Sequence, residues 1–226
     1  MQDYLKNPVY HALTSGDRSL SQGTKMVKYF DEAVSPFAGF EEGYDRGFEE
    51  LHDLLPAKRK ILFATGQDIS EPKEWSLLQK IKGWQMIFEK SGSLNGNYSQ
   101  IVPLTNEHIE EMVQLAMLTK PGPFGPKTIL FGNYFGIIDQ EKLVAMAGER
   151  LHLQHYTEIS AVCTHPDHLG KGYGAALMQY HIRRILEQDK KPFLHVRADN
   201  LRAIGLYERL GFTISGNMNF YFLERI

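Results

Sequence analysis

The sequence of 226 residues predicts an α/β fold in which a mixed sheet is flanked by helices. From residue 101 onward, short apolar segments with strand character alternate with amphipathic helical segments. This alternation is typical of mixed α/β sheets. The composition, with 42% hydrophobic and 23% charged residues, is that of an ordinary globular protein with a substantial core.

The elements of the second half follow from local signals in the sequence. Thr105 and Asn200 suit helix N-caps, and Gly211 suits the left-handed residue that ends a helix. Met178, Ile182 and Ile185 recur at helical spacing. We predict helices over 105–118, 172–188 and 200–210. We predict strands over 101–104, 134–138, 143–147, 158–164 and 192–196, and a closing hairpin of 212–215 and 219–223 around Gly216-Asn217.

The first half has weaker signals. We predict strands over 27–30, 61–65 and 84–88, helices over 48–55 and 75–81, and a linker over 91–97. These elements indicate a smaller α/β domain, residues 1–98, in front of a second domain, residues 99–226. An acidic cluster in the first half is either a solvated helix face or an attractor for a cationic amine. Its members are Glu41, Glu42, Asp45, Glu49, Glu50 and Asp53.

Charge and cysteine content narrow the classes of function. The net charge of −2 lacks the excess of basic residues that is typical of nucleic-acid-binding proteins. No apolar run approaches the length of a membrane span. Cys163 is the one cysteine, so the chain cannot form an intrachain disulfide. We expect a cytoplasmic protein without nucleic-acid or membrane partners, and its oligomeric state stays open.

A glycine-spaced loop follows the strand that ends at Thr164. Gly170, Gly172 and Gly174 allow the backbone to approach a ligand closely, and a helix is predicted to begin at this point. The first amides of a helix have no intrahelical acceptor, and the helix dipole favours an anion such as a phosphate or diphosphate. The even spacing of these glycines matches neither a P-loop nor a dinucleotide fingerprint.

A second polar pattern lies about thirty residues further on. Asn200, Ala203 and Tyr207 are three and four residues apart, so they share one face of the predicted helix. The small Ala203 between two polar residues leaves room for a ligand along that face.

Together the two segments resemble the signatures of the GNAT superfamily of acyl-CoA-dependent N-acyltransferases. Segment 169–174 is similar to the family's diphosphate loop, except that Leu169 stands where the family has Arg or Gln. Segment 200–212 is similar to the second signature at each of its fixed positions. The resemblance covers residues 101–226 and implies a GNAT-type, mostly antiparallel mixed sheet. The first half is interpreted as a divergent, degenerate copy of the same fold that covers the acceptor side.

The resemblance also implies site residues. The cofactor-binding positions would be Val162, Cys163, Thr164, Leu169, Gly170, Lys171, Gly172, Tyr173, Gly174, Ala175, Asn200, Ala203 and Tyr207. Tyr207 would be the general acid that protonates the departing thiolate, or alternatively a packing residue. Glu158 is the candidate general base if burial raises its pKa, and otherwise it is a strand-end glutamate in water or paired with a cation. His155 is the substitute candidate.

The expected activity is transfer of an acetyl group from acetyl-CoA to a primary amine of a small molecule or peptide by direct attack. The alternatives are a non-catalytic CoA-binding sensor and an adaptor protein. We expect no metal, because Cys163, His165 and His168 lack the usual spacing of zinc ligands. The sequence does not identify the amine or the length of the acyl chain.

Overall fold

The structure is a computed structural model that describes residues 4–89 and 98–226. Its helices are α1 (Pro8–Thr14), α2 (Gly47–Leu54), α3 (Ile109–Thr119), α4 (Tyr173–Leu186) and α5 (Leu201–Arg209). Its strands are β1 (Ser21–Gly23), β2 (Val27–Phe30), β3 (Phe37–Phe40), β4 (Lys60–Thr65), β5 (Trp75–Phe88), β6 (Ile101–Pro103), β7 (Phe135–Asp139), β8 (Lys142–His152), β9 (Tyr156–Thr164), β10 (Lys191–Arg197) and β11 (Phe212–Arg225). The linker predicted over 91–97 lies outside the described residues.

Within the described ranges, the strands form one sheet in the order β1-β2-β3-β4-β11-β5-β10-β9-β8-β7-β6. The pairs β3–β4 and β9–β10 are parallel, and the other neighbours are antiparallel. This mixed, mostly antiparallel sheet with flanking helices confirms the predicted fold class.

Strand β5 joins the two halves of the sequence. Although it precedes residue 98, it lies between β10 and β11. The helix predicted over 75–81 is wrong, because this segment is the first half of β5. Trp75, Leu78 and Ile81 have helical spacing in the sequence, but pairing with β11 along almost the whole of β5 determines the conformation. The division into domains at residue 98 stays a prediction, since the sheet continues across it.

The hairpin predicted around Gly216-Asn217 is also wrong. β11 runs without a turn from Phe212 to Arg225, and a bulge at Ser215 takes up the extra residue in its pairing with β5. Because β5 offers an equally long partner, the glycine and asparagine stay extended within a central strand.

The other predicted elements are present, most of them with small shifts at their ends. β5 begins at Trp75 and β8 ends at His152, so both are much longer than the strands predicted over 84–88 and 143–147. Helix α4 buries Met178, Ile182 and Ile185 against the sheet, as their spacing predicted. Asn200 caps α5 by accepting a hydrogen bond from the Ala203 amide at 3.1 Å. The structure adds α1, β1 and β3, which the sequence analysis did not identify.

Two apolar clusters cover the sheet where the candidate site lies. One contains residues of both halves, including Val9, Phe30 and Phe193. The other packs α4 and α5 on β5, β9 and β10 through residues such as Met86, Ile182 and Tyr207. Within the described residues, no helix is long and apolar enough to cross a membrane.

Candidate active site

The centre of the candidate site is a fork between two parallel strands. β9 and β10 pair only over Tyr156–Glu158 and Lys191–Phe193, and they separate beyond these residues. On the open part of the fork, β9 has a bulge opposite β8, where Ala161 has a φ of +53°. A bulge leaves main-chain groups of the strand without a ladder partner. The fork therefore offers free backbone groups inside the sheet.

A cleft of about 590 Å³ opens at this fork. It is lined by Thr119, Val162, Cys163, Thr164, His168, Leu169, Gly170, Gly172, Tyr173, Gly174, Ala175, Asn200, Arg202, Ala203, Leu206, Tyr207 and Arg209. Every cofactor-binding residue predicted from the sequence is in this lining except Lys171. The ammonium of Lys171 lies instead 3.1 Å from His168 Nδ1 and 3.7 Å from Asp139 Oδ2.

The glycine loop presents unpaired amides to the cleft. Gly170 and Gly172 have φ angles of +83° and +80°, which side-chain-bearing residues rarely adopt. Within the described residues, the amides of Gly170, Lys171 and Gly172 donate to no protein acceptor. Helix α4 begins directly after them, so its first amides add to the same donor array. This geometry suits an anion with several oxygens.

Helix α5 brings Tyr207 into the cleft from the other side. Its side chain is 9% exposed, and its hydroxyl has no hydrogen-bond partner among the described residues. Burial, together with the nearby Cys163, raises the pKa of the phenol to about 12. Tyr207 therefore stays protonated at neutral pH and can donate a proton.

Cys163 is a buried thiol in the same lining. Burial raises its pKa to about 11, although hydrogen bonds with the Thr119 side chain and the Met146 backbone act in the opposite direction. The thiol is therefore protonated at neutral pH and unsuited to act as a nucleophile.

The structure contradicts the raised pKa that a base at Glu158 would need, and it agrees with the alternative of a glutamate paired with a cation. Glu158 is fully buried at the closed end of the fork and does not line the cleft. The Arg150 guanidinium binds both of its carboxylate oxygens, at 2.7 and 2.8 Å, and His195 Nδ1 lies 2.7 Å from Oε1. Burial alone would raise the pKa of Glu158, but the charge of Arg150 and the contact with His195 outweigh it and lower the pKa to about 2.

His155, the substitute base, precedes the first residue of β9 and is exposed, with its ring against Tyr4. A strand advances about 3.3 Å per residue, so His155 is about 20 Å from the bulge. The structure does not bring it to the cleft.

The sequence analysis missed several polar residues around the fork. Arg150 and His195 hold Glu158, while Thr119, Arg202 and Arg209 line the cleft. Arg202 and Arg209 lie within the segment of the second signature, at positions that the signature leaves variable, and form no ion pair within the described residues. Their position in that segment was the signal that could have identified them. Arg150 and His195 gave no such signal, because pairing across strands cannot be inferred from local spacing.

Comparison with known proteins agrees with this geometry. The model of the FR47-like protein family matches residues 134–221. A GNAT-family protein of known structure from Novosphingobium aromaticivorans is similar over 100% of both chains, with 29% identity and a TM-score of 0.91. A GCN5-related N-acetyltransferase from Kribbella flavida shares the fold at 15% identity and a TM-score of 0.61, over 96% of this chain and 94% of that one. No curated protein matches the sequence.

The family model covers β7 to β10, α5 and most of β11, a region that contains the fork and the glycine loop. The likeness to the Novosphingobium protein extends this agreement over the first half. These two likenesses support membership of the chain in the GNAT superfamily.

Proposed function

We propose that this protein is an N-acetyltransferase that transfers the acetyl group of acetyl-CoA to a primary amine of a small molecule or peptide by direct attack. One observation carries the proposal. The unpaired amides of Gly170 and Gly172 and the unpaired hydroxyl of Tyr207 line the same cleft at the β9–β10 fork. Amides that can bind a diphosphate and a hydroxyl that can donate a proton can thus contact the same ligand.

The lining fits a CoA molecule. A Cβ atom at Gly170 or Gly172 would meet nothing within 4 Å, so the space over both glycines is open. Arg202 and Arg209 offer guanidinium groups for phosphate oxygens. Leu169 lines the cleft with a side chain that cannot donate a hydrogen bond, and the array of backbone amides supplies the donors instead.

Different groups of the cleft would orient the acyl group, stabilise the oxyanion and protonate the leaving thiolate. A bound acetyl-CoA supplies a thioester carbonyl that an amine can attack. In our proposal the free main-chain groups beside Val162 orient the acyl group, and an amide there stabilises the developing oxyanion. Tyr207 donates its proton to the departing thiolate sulfur.

In our proposal Glu158 is not the general base, which was one of the two roles that the sequence left open. With its pKa lowered to about 2, it is a poor proton acceptor at neutral pH. We propose that water in the open cleft takes the proton of the amine. Glu158 fixes the positions of Arg150 and His195 at the closed end of the fork. A cytoplasmic location is part of this proposal, supported by a single cysteine that is buried and free.

Two measurements test the proposal. Calorimetry with acetyl-CoA measures binding, and release of free thiol over a panel of primary amines measures transfer. Tyr207→Phe should lower kcat about 100-fold or more while acetyl-CoA affinity stays within about twofold. Tyr134→Phe is the matched control, because Tyr134 is another buried tyrosine that does not line the cleft. It should leave both quantities near the wild-type values.

The outcomes separate the rival functions. Acetyl-CoA binding without thiol release from any amine would make the protein a CoA-binding sensor. Absence of acetyl-CoA binding would favour an adaptor protein. An unchanged kcat in Tyr207→Phe would remove Tyr207 from the role of acid.

A further inference from the structure

The side chain of His168 is a polar group at the start of the glycine loop. It lines the same cleft as Gly170 and Gly172. A short 3-10 helix, Pro166–His168, ends directly before the loop and places the imidazole beside the unpaired amides. Over residues 168–172, all of which the structure describes, His168 is the one lining residue whose side chain carries an N–H or O–H group.

The contacts of the imidazole determine which of its nitrogens can donate. Lys171 Nζ lies 3.1 Å from His168 Nδ1. An ammonium group has three donors and no acceptor, so Nδ1 must accept this hydrogen bond. The neutral ring then carries its proton on Nε2. Among the described residues, Nε2 has no hydrogen-bond partner.

Asp139 holds Lys171 in this position. Its Oδ2 lies 3.7 Å from Lys171 Nζ and 3.5 Å from His168 Nδ1. The carboxylate therefore balances the charge of the ammonium. Neither Asp139 nor Lys171 lines the cleft, so the Nδ1 edge of the ring faces away from the cleft and the Nε2 edge faces it.

Two neighbouring rings restrict the rotation of the imidazole. Tyr173, the first residue of α4, is stacked on it with an angle of 24° between the ring planes and 6.4 Å between the centroids. His165 packs edge-on against it at 5.8 Å. A donor that is held in place before the ligand arrives loses little conformational entropy on binding.

We propose that His168 is a cofactor-binding residue whose Nε2–H group donates to a diphosphate oxygen of the acyl-CoA, and that Lys171 is a positioning residue that acts through His168. The imidazole supplies the side-chain donor that Leu169 does not, and it adds to the backbone amides of the loop. Because the ligand is the acyl-CoA of the proposed function, this inference rests on that function.

Calorimetry of the full chain with CoA measures the contribution of the imidazole. His168→Met removes the donor and should weaken CoA binding about tenfold or more, because the lost hydrogen bond is to a charged group. His168→Gln keeps an N–H group near the position of Nε2 and should stay within about threefold of the wild type. His155→Met, at an exposed histidine away from the cleft, should stay within about twofold. Thermal unfolding of each variant checks that it folds.

A double-mutant cycle tests the role of Lys171. Lys171→Met alone should weaken CoA binding, because the ring loses the donor that keeps its proton on Nε2. In the His168→Met background the same change should alter CoA affinity by less than about twofold, because its effect passes through the imidazole. An equal loss in both backgrounds would show that Lys171 acts on the phosphate independently of His168, and it would overturn the positioning role.

Nitrogen NMR of the histidine rings at mildly alkaline pH gives a readout that a merely structural role would not move. The ring signals that are missing in His168→Gln belong to His168. In the free wild type they should show the proton on Nε2. CoA should shift the Nε2 signal more than the Nδ1 signal, and pantetheine, which lacks the diphosphate, should leave both in place. A proton on Nδ1, or an Nε2 signal that CoA does not shift, would overturn the proposal.

The same experiments separate this inference from the proposed function. Unchanged CoA affinity in His168→Met, with the wild type still transferring acetyl groups, would overturn the inference alone. CoA binding that depends on His168, without release of thiol from acetyl-CoA with any amine, would overturn the proposed transfer alone. Absence of CoA binding by the wild type would overturn both.

Discussion

Replacing Glu158 by glutamine tests the buried ion pair at the closed end of the fork. The ionised carboxylate is fully buried and held by Arg150 and His195. Lowering its pKa from 4.5 to about 2 corresponds to about 3 kcal/mol of folding free energy. Removing one member of a buried pair also leaves the Arg150 charge uncompensated, which typically costs about 3–5 kcal/mol. We therefore expect Glu158→Gln to lose about 3 kcal/mol or more at pH 7.

The sign of the pH dependence follows from the lowered pKa. The contribution of Glu158 is fully present above the unfolded value near pH 4.5, and it is lost as the pH falls through about 2. Urea unfolding at several pH values should show the largest difference between wild type and variant at neutral pH, shrinking in acid. Glu187→Gln is the control. It removes an exposed carboxylate whose pair with Arg183 on α4 is worth less than about 1 kcal/mol.

A loss below about 1 kcal/mol at pH 7, the value of an exposed pair, would refute this reasoning. Changing Arg150 and Glu158 together to methionine should recover much of the stability, because a buried pair replaced by apolar side chains is often neutral. If Glu158→Gln stayed fully stable but removed the acidic limb of the rate profile, Glu158 would be the base after all.

Three further predictions concern other parts of the chain. Gly172→Ala and Gly43→Ala both place a side chain at a φ of +80°, so each should lose about 1–2 kcal/mol in urea unfolding. Calorimetry should show weaker acetyl-CoA binding in Gly172→Ala alone, and equal affinities would contradict the role of the loop. Burial would lower the pKa of His152, but contacts with Asp17 and Glu149 raise it to about 9. Its contribution, on the order of 3 kcal/mol, is complete below about pH 6.5 and is lost as the pH rises through about 9, so His152→Gln should flatten the alkaline fall in stability. Because the pKa of Tyr207 is about 12, deprotonation of this residue should not lower kcat below about pH 11. If the wild type lost activity at a lower alkaline pH and Tyr207→Phe did not show that loss, the assigned pKa would be contradicted.

The parts of the site that the sequence predicted depend on local chemistry. Gly170 and Gly172 adopt positive φ angles, and Asn200 caps α5 through its own side chain. Such features act over a few residues, so their spacing in the sequence is sufficient to identify them.

The parts that the sequence did not predict depend on pairing between distant segments. Arg150, Glu158 and His195 come from three neighbouring strands, and only the register of the sheet brings them together. The same holds for the strand that replaced the predicted helix over 75–81. A long non-local partner overrides a local helical pattern of apolar residues.

The position of β5 has a consequence for how the protein folds during synthesis. This strand leaves the ribosome well before β10 and β11, between which it finally lies. Until both are made, its two edges stay open, and pairing between such distant segments is slow. Open edges of this kind invite aggregation, and charged side chains along a strand counter it. Lys80 and Lys82 lie in the middle of β5, and their charges are suited to prevent aggregation of the strand while it is still unpaired.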